Sequence, residues 1–174
     1  MPGVSNSSPL IYLESAGDLD LLPRLFGQIS IPDAVYREVV IGGGGKPGAD
    51  AVARAIDHWL AIGTVKNRDR VAALMELVGL DIGEAEAIVL AQELGQRIVF
   101  LDDRSAVNVA RSFGLEVVRT PALYVTAKNR GLIESVRPKI DALRAGGFWL
   151  KDTDYLAVLA GAGELPSPTD DYKA

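Results

Sequence analysis

At 174 residues, with 48% hydrophobic and 24% charged residues, the chain has the make-up of one globular domain able to bury a core. It has no cysteine and one histidine, His58, which excludes a disulfide framework and a thiolate or histidine-rich metal site, and makes a Ser-His-Asp triad a poor candidate. The net charge of -5 argues against a broadly basic nucleic-acid surface, but carboxylates that hold cations count as negative in that sum. No apolar run reaches membrane-spanning length and the N-terminus lacks the basic start of a secretory signal, so the expected location is the cytoplasm.

In chain order, residues 2–6 read as a short strand broken by Asn6-Ser7-Ser8 and Pro9, with Ser8 the expected N-cap of a helix ending near Gly17. A second helix is expected over 18–26, and a strand over 28–32 stopped by Pro32. The next helix opens at Pro32-Asp33 and carries Val35, Val39 and, off that stripe, Glu38. Gly42 to Gly48 form a loop. The spacing of Val52, Ile56, Trp59 and Leu60 predicts a helix over 49–62, with an edge strand at 64–66 and a helix over 69–78. Gly83-Glu84-Ala85-Glu86-Ala87-Ile88 opens a helix running to Leu94, its acidic first turn favoured by the helix dipole. Ile98-Val99-Phe100-Leu101 has no polar face and reads as a strand inside a covered parallel sheet. A helix over 105–113, a strand over 115–118 and helices over 121–129, 136–145 and 153–159 follow. Strands alternating with helices define an α/β chain with a mostly parallel sheet. The expected domain spans 1–163, and the proline-bearing, acidic stretch 164–174 reads as a loose tail.

Ligands of parallel sheets bind beyond the carboxyl ends of the strands, where Asn6 and the Asp102-Asp103 pair fall. With Glu38 and Glu84 from helices, four oxygen-donor positions arise that suit one or two Mg²⁺ or Mn²⁺ ions. Such ions activate a water and stabilise the leaving oxygen in phosphodiester hydrolysis. Taken singly, Glu38 and Glu84 also fit ordinary surface and helix-start roles. Gly42 to Lys46 superficially suggests a phosphate loop, but Pro47 stands where Ser or Thr would meet magnesium, so a plain loop is the better reading. His58 reads as a packed or surface helix residue, and Ser7 and Ser8 as capping residues. Arg104, Arg111, Arg119, Lys128 and Arg130 follow the acidic edge and fit either phosphate contacts or a solvated helix surface.

Together, Asn6-Ser7-Ser8-Pro9-Leu10-Ile11, Ile31-Pro32 with Tyr36-Arg37-Glu38, Gly83 to Ile88, and Leu101-Asp102-Asp103-Arg104 resemble the PIN-domain nucleases, in particular a bacterial and archaeal branch with SPLI and GEAEAI segments. The resemblance covers about residues 3–160. It implies a three-layer α/β/α sandwich, a metal-dependent ribonuclease using Mg²⁺ or Mn²⁺, and often a toxin paired with a small antitoxin. The family's four acidic positions then fall on Asn6, Glu38, Glu84 and the Asp102-Asp103 pair, with Glu86 an alternative for the third and Ser7 or Ser8 matching the hydroxyl residue after the first. Asn6 departs from the pattern: an amide oxygen coordinates a cation but brings no charge.

These readings predict that the strands ending at Asn6 and Leu101 are parallel neighbours, with Glu38 and Glu84 at the same edge. A metal-dependent endoribonuclease acting on RNA is the leading function, and a non-catalytic PIN-like module with a weakened metal site the alternative. A flavodoxin-like domain would also place acids at strand ends but gives no reason for acidic residues on both helices. Apolar positions before residue 80 and between 121 and 143 exceed what one small sheet covers, which predicts a symmetric homodimer.

Overall fold

The structure, a computed structural model, describes residues 2–44 and 47–165. The chain divides into two compact units, 1–120 and 121–174. The first holds a five-stranded parallel sheet of order β3-β2-β1-β4-β5, from β1 (Gly3–Ser5), β2 (Ile29–Pro32), β3 (Leu60–Gly63), β4 (Ile98–Phe100) and β5 (Glu116–Val118). The strands ending at Asn6 and Leu101 are parallel neighbours as predicted: Ser5 lies opposite Phe100, and the Asn6 N–H donates to the Phe100 carbonyl at 3.1 Å. The strand order turns back between β1 and β4, the switch point beyond whose carboxyl ends ligands of such sheets bind.

The β1–β4 seam is tight. A Cβ on Gly3 would lie 2.8 Å from the Phe100 ring, so glycine lets the two strands carry that ring between them. The ring meets Phe26 edge-on with centroids 4.8 Å apart. Val4, Val99 and Leu101 are buried with the apolar side chains of α6 (Ile82–Glu93) and α7 (Arg104–Ser112). From Gly83 to Ala91 every residue of α6 is buried, and its alanines at 85, 87 and 91 let it pack closely.

Helix α1 (Ser7–Ser15) starts one residue before the expected cap. Asn6, not Ser8, is the N-cap residue, and its side chain makes no capping bond. The helix predicted over 49–62 stops early. Helix α4 (Pro47–Ala55) ends before Asp57, whose φ of 66° lies in the left-handed region, and Leu60–Gly63 then pair with β2. The edge strand is therefore Leu60–Gly63 rather than 64–66. The spacing of Val52, Ile56, Trp59 and Leu60 imitates a helix because α4, a turn and a short strand in succession bury Val52 and Leu60 and half-bury Ile56 and Trp59. Gly45 and Lys46 of the loop lie outside the described residues.

Glu86 is fully buried on α6, and the chain compensates its charge locally. Oε2 accepts the Ala34 N–H at 2.9 Å, at the start of α3 (Asp33–Tyr36), and Oε1 accepts from Arg68 Nη1 at the start of α5 (Arg68–Val78). Glu86 thus fastens α6 to two other helices.

In the second unit, with α9 (Arg137–Ala145) and α10 (Asp152–Gly161), Glu164 is the polar hub. Its carboxylate accepts from Lys128 Nζ, Ser135 Oγ and the N–H groups of Val136 and Arg137 at 2.6–3.0 Å. Burial opposes the charge, but these donors outweigh it and hold the pKa at about 2 instead of 4.5. Glu164 caps the entry to α9; residues 166–174 of the predicted tail lie outside the described residues.

Removing Arg68 leaves the buried Glu86 carboxylate uncompensated. Arg68→Ala should lower unfolding stability by about 2–4 kcal/mol, discounted from a fully buried pair because Arg68 is half exposed. Glu86→Gln keeps an acceptor for Ala34 and should cost less. Urea unfolding of the two variants checks the order.

Candidate active site

Asn6, at the carboxyl end of β1, is 4% exposed, and its Oδ1 is a buried oxygen with no hydrogen-bond partner. With no bond to the end of α1, the carboxamide oxygen lies against Gly83 of α6. A Cβ at Gly83 would lie 2.8 Å from Asn6 Oδ1, 3.3 Å from Asp81 Oδ1 and 3.4 Å from Val35 Cγ2. Glycine therefore keeps the space beside these oxygens open.

Glu84 stands at the start of α6 in a capping box. Asp81 Oδ1 accepts the Glu84 N–H at 2.7 Å and Glu84 Oε2 accepts the Asp81 N–H at 3.1 Å. Glu84 is also buried, and burial is the main reason its pKa is pushed up from 4.5 to about 7. The Asp81 N–H lowers it, while the charges of Asp81, Asp103 and Glu38 raise it further. Glu84 thus feels three other carboxylates at this edge.

Glu38 reaches the edge from a π turn. The helix begun by α3 widens over Arg37–Ile41, and the Gly42 N–H returns to the Arg37 carbonyl at 2.7 Å. Such turns re-aim side chains and are frequent at functional sites. Ser7, buried on the first turn of α1, donates its hydroxyl proton to Glu38 Oε2 at 2.5 Å and fixes that carboxylate. Ser7 is thus the hydroxyl partner in this site; Ser8 makes no such bond among those described. A cleft of about 710 Å³ opens beside Glu38, walled by Ile11, Glu14, Val39 and Val52.

The two aspartates after β4 part company. Asp102 is held by Thr120, whose N–H and hydroxyl donate to its two carboxylate oxygens at 2.8 and 2.6 Å. Burial raises its pKa, against the Thr120 bonds and the Arg119 charge. Asp103 is exposed and caps α7 through Oδ1, which accepts the Ser105 and Ala106 N–H groups at 2.7 and 3.1 Å. Among the described residues its other oxygen has no hydrogen-bond partner, and its charge is one of those that raise the Glu84 pKa. Glu86 is taken up by Ala34 and Arg68. Of the basic residues, Lys128 is committed to Glu164 and the Ala162 carbonyl, and Arg119 Nη2 donates to the Asp102 carbonyl at 3.2 Å. Arg104, beside Asp103, is exposed.

A family model described as a PIN domain matches residues 2–164. The chain belongs to the PIN-domain family. Comparison with curated proteins returns no match. PIN domains form a nuclease superfamily that generally works with divalent metal ions.

Among the described residues of this PIN domain, no three histidine, aspartate or glutamate side chains stand close enough to form a ready-made metal cage. The donor set nevertheless fits a hard cation. All the donors are oxygens, Asn6 Oδ1 is buried without a partner, and magnesium keeps several waters and needs only one or two carboxylates. Among the described residues no helix is long and apolar enough to cross a membrane.

Glu84 titrates against the fold. The unfolded chain ionises near pH 4.5 and the native protein near 7, so neutral Glu84 contributes stability that is fully present below 4.5 and lost as pH rises through 7. Glu84→Gln, which keeps the capping box, should match the parent near pH 4.5 in chelator and exceed it above pH 7 by on the order of 2 kcal/mol. Unfolding curves across that range test the sign and the window.

Proposed function

We propose that this PIN domain is a Mg²⁺- or Mn²⁺-dependent endoribonuclease whose cation is held by Asn6 Oδ1 with Glu84 and Asp103, Glu38 acting on it through the waters it keeps. The observation that carries the reading is the unpartnered, buried Asn6 oxygen against Gly83, on the same helix start as a carboxylate, Glu84, raised to a pKa of about 7 by burial and its acidic neighbours. A divalent cation relieves that repulsion, and when bound it supplies the Lewis acidity that activates water and stabilises a leaving oxygen. Glu84 sheds its proton to take up the charge, and Asp81 and the start of α6 hold its carboxylate in place. Ser7 keeps Glu38 aimed, and the cleft beside Glu38 offers the RNA chain a path to the edge. Arg104 is free to contact a phosphate.

Asp102 braces β4 to the start of α8 (Thr120–Asn129) rather than serving as the primary ligand. Because Asn6 brings no charge, the rival reading is a binding module of the same fold whose metal site is too weak to catalyse.

The toxin role and a small antitoxin partner follow from the family alone. A homodimer is supported by Met75, Leu77, Val78 and Ile82, exposed apolar residues where α5 gives way to α6. Light scattering should then return the mass of two chains; that of one chain rejects the dimer.

Asp103→Asn keeps a good N-cap and removes the charge. It should weaken Mn²⁺ binding about tenfold or more and abolish cleavage of a labelled single-stranded RNA. Asp102→Asn should lower the melting temperature while the folded protein still binds Mn²⁺ within about threefold of the parent, on the scale of a weak charge effect. Calorimetric titration with both variants decides between the aspartates. Wild-type protein that binds Mn²⁺ yet leaves RNA intact would favour the binding module.

A further inference from the structure

The nuclease reading uses Asp81 only to hold Glu84 and gives its own carboxylate no part in binding the cation. Asp81 lies just before α6, exposed, and uses Oδ1 to cap the Glu84 N–H; among the described residues Oδ2 has no hydrogen-bond partner. An N-cap aspartate alone requires nothing more than a helix to start. The second observation is the buried, unpartnered Asn6 carboxamide oxygen, which closes on the same space: Asn6 Oδ1 and Asp81 Oδ1 lie 2.8 and 3.3 Å from the one point where a Gly83 side chain would begin. An amide oxygen that gives up capping and is buried without a protein partner is costly unless something polar completes it. Gly83 keeps that space open to both oxygens.

We propose that Asp81 supplies the negative charge that Asn6 does not, its carboxylate and the Asn6 carbonyl oxygen serving the same divalent cation beside Gly83. The charge that PIN nucleases carry at the end of β1 is thereby moved onto the start of α6. Asp81 acts on the cation directly or through one of the waters it keeps, and Asn6 contributes a neutral oxygen. The inference rests on the metal-dependent reading of this site and concerns only how the site balances its charge.

The test exchanges charge between the two positions. Asn and Ser cap helices about as well as Asp, so Asp81→Asn and Asp81→Ser remove the charge while leaving the helix start intact. Melting curves in chelator check that. After stripping with chelator, Mn²⁺ affinity is measured by calorimetry on the parent, both Asp81 variants, Asn6→Asp, and Asn6→Asp combined with Asp81→Asn. Both Asp81 variants should bind Mn²⁺ about tenfold more weakly, the scale of one nearby charge. Asn6→Asp should restore affinity in the Asp81→Asn background and gain less in the parent, because there the charge is already present. Asp81 variants that melt normally and bind Mn²⁺ as the parent does overturn the proposal and leave the nuclease reading standing. A parent that binds no Mn²⁺ overturns both.

Discussion

A carboxylate held out of water, Glu84, with three acids near it, is the constraint around which the site of the first unit is arranged. Glu84 is buried at the start of α6 within the field of Asp81, Glu38 and Asp103, and its carboxyl pays by holding a proton to about pH 7. A cluster of that kind destabilises the empty protein, so its persistence needs either a stability surplus elsewhere or a cation to settle it. The surplus is visible: α6 is buried from Gly83 to Ala91, and the seam it covers is closed by Gly3, Phe100 and Phe26. The cation is the proposal.

The same helix shows two solutions to a buried acid, two residues apart. Glu86 points to the neighbouring helices and receives a guanidinium and a backbone N–H, which makes it a fastener. Glu84 points to the sheet edge and receives a single backbone N–H together with three like charges, which leaves it unsatisfied. A fully compensated carboxylate has little left to offer a ligand. An under-compensated one is poised for a cation. The aspartates after β4 repeat the contrast, Asp102 with both oxygens bonded to Thr120 and Asp103 with one oxygen left over.

Much of this frame is legible in the chain itself. An apolar strand ending in two carboxylates and a glycine-acid helix start are strong local signals, and they led to the β1–β4 adjacency and the family. What local signals cannot supply is the partner that decides between neighbours. Asp102 and Asp103 look alike until Thr120, eighteen positions on, bonds one of them. Glu84 and Glu86 differ only through Arg68 and Ala34. Asn6 is not readable as the cap of α1, because Ser8 is as good a cap by residue type and has Pro9 after it, and tertiary packing turns the Asn6 amide elsewhere. The strand Leu60–Gly63 hid in a helical spacing that the left-handed turn at Asp57 interrupts. The π turn that aims Glu38 has no marker in residue type.

The most direct test of the account is the position of manganese in crystals soaked with Mn²⁺ and measured at its absorption edge. The account predicts an anomalous peak beside Gly83, within coordination reach of Asn6 Oδ1, Glu84 and Asp103, with Asp81 on the ion or on one of its waters and Asp102 still bonded to Thr120. A peak on Asp102 with the Thr120 bonds broken, or manganese bound only away from the Asn6 oxygen, would contradict it.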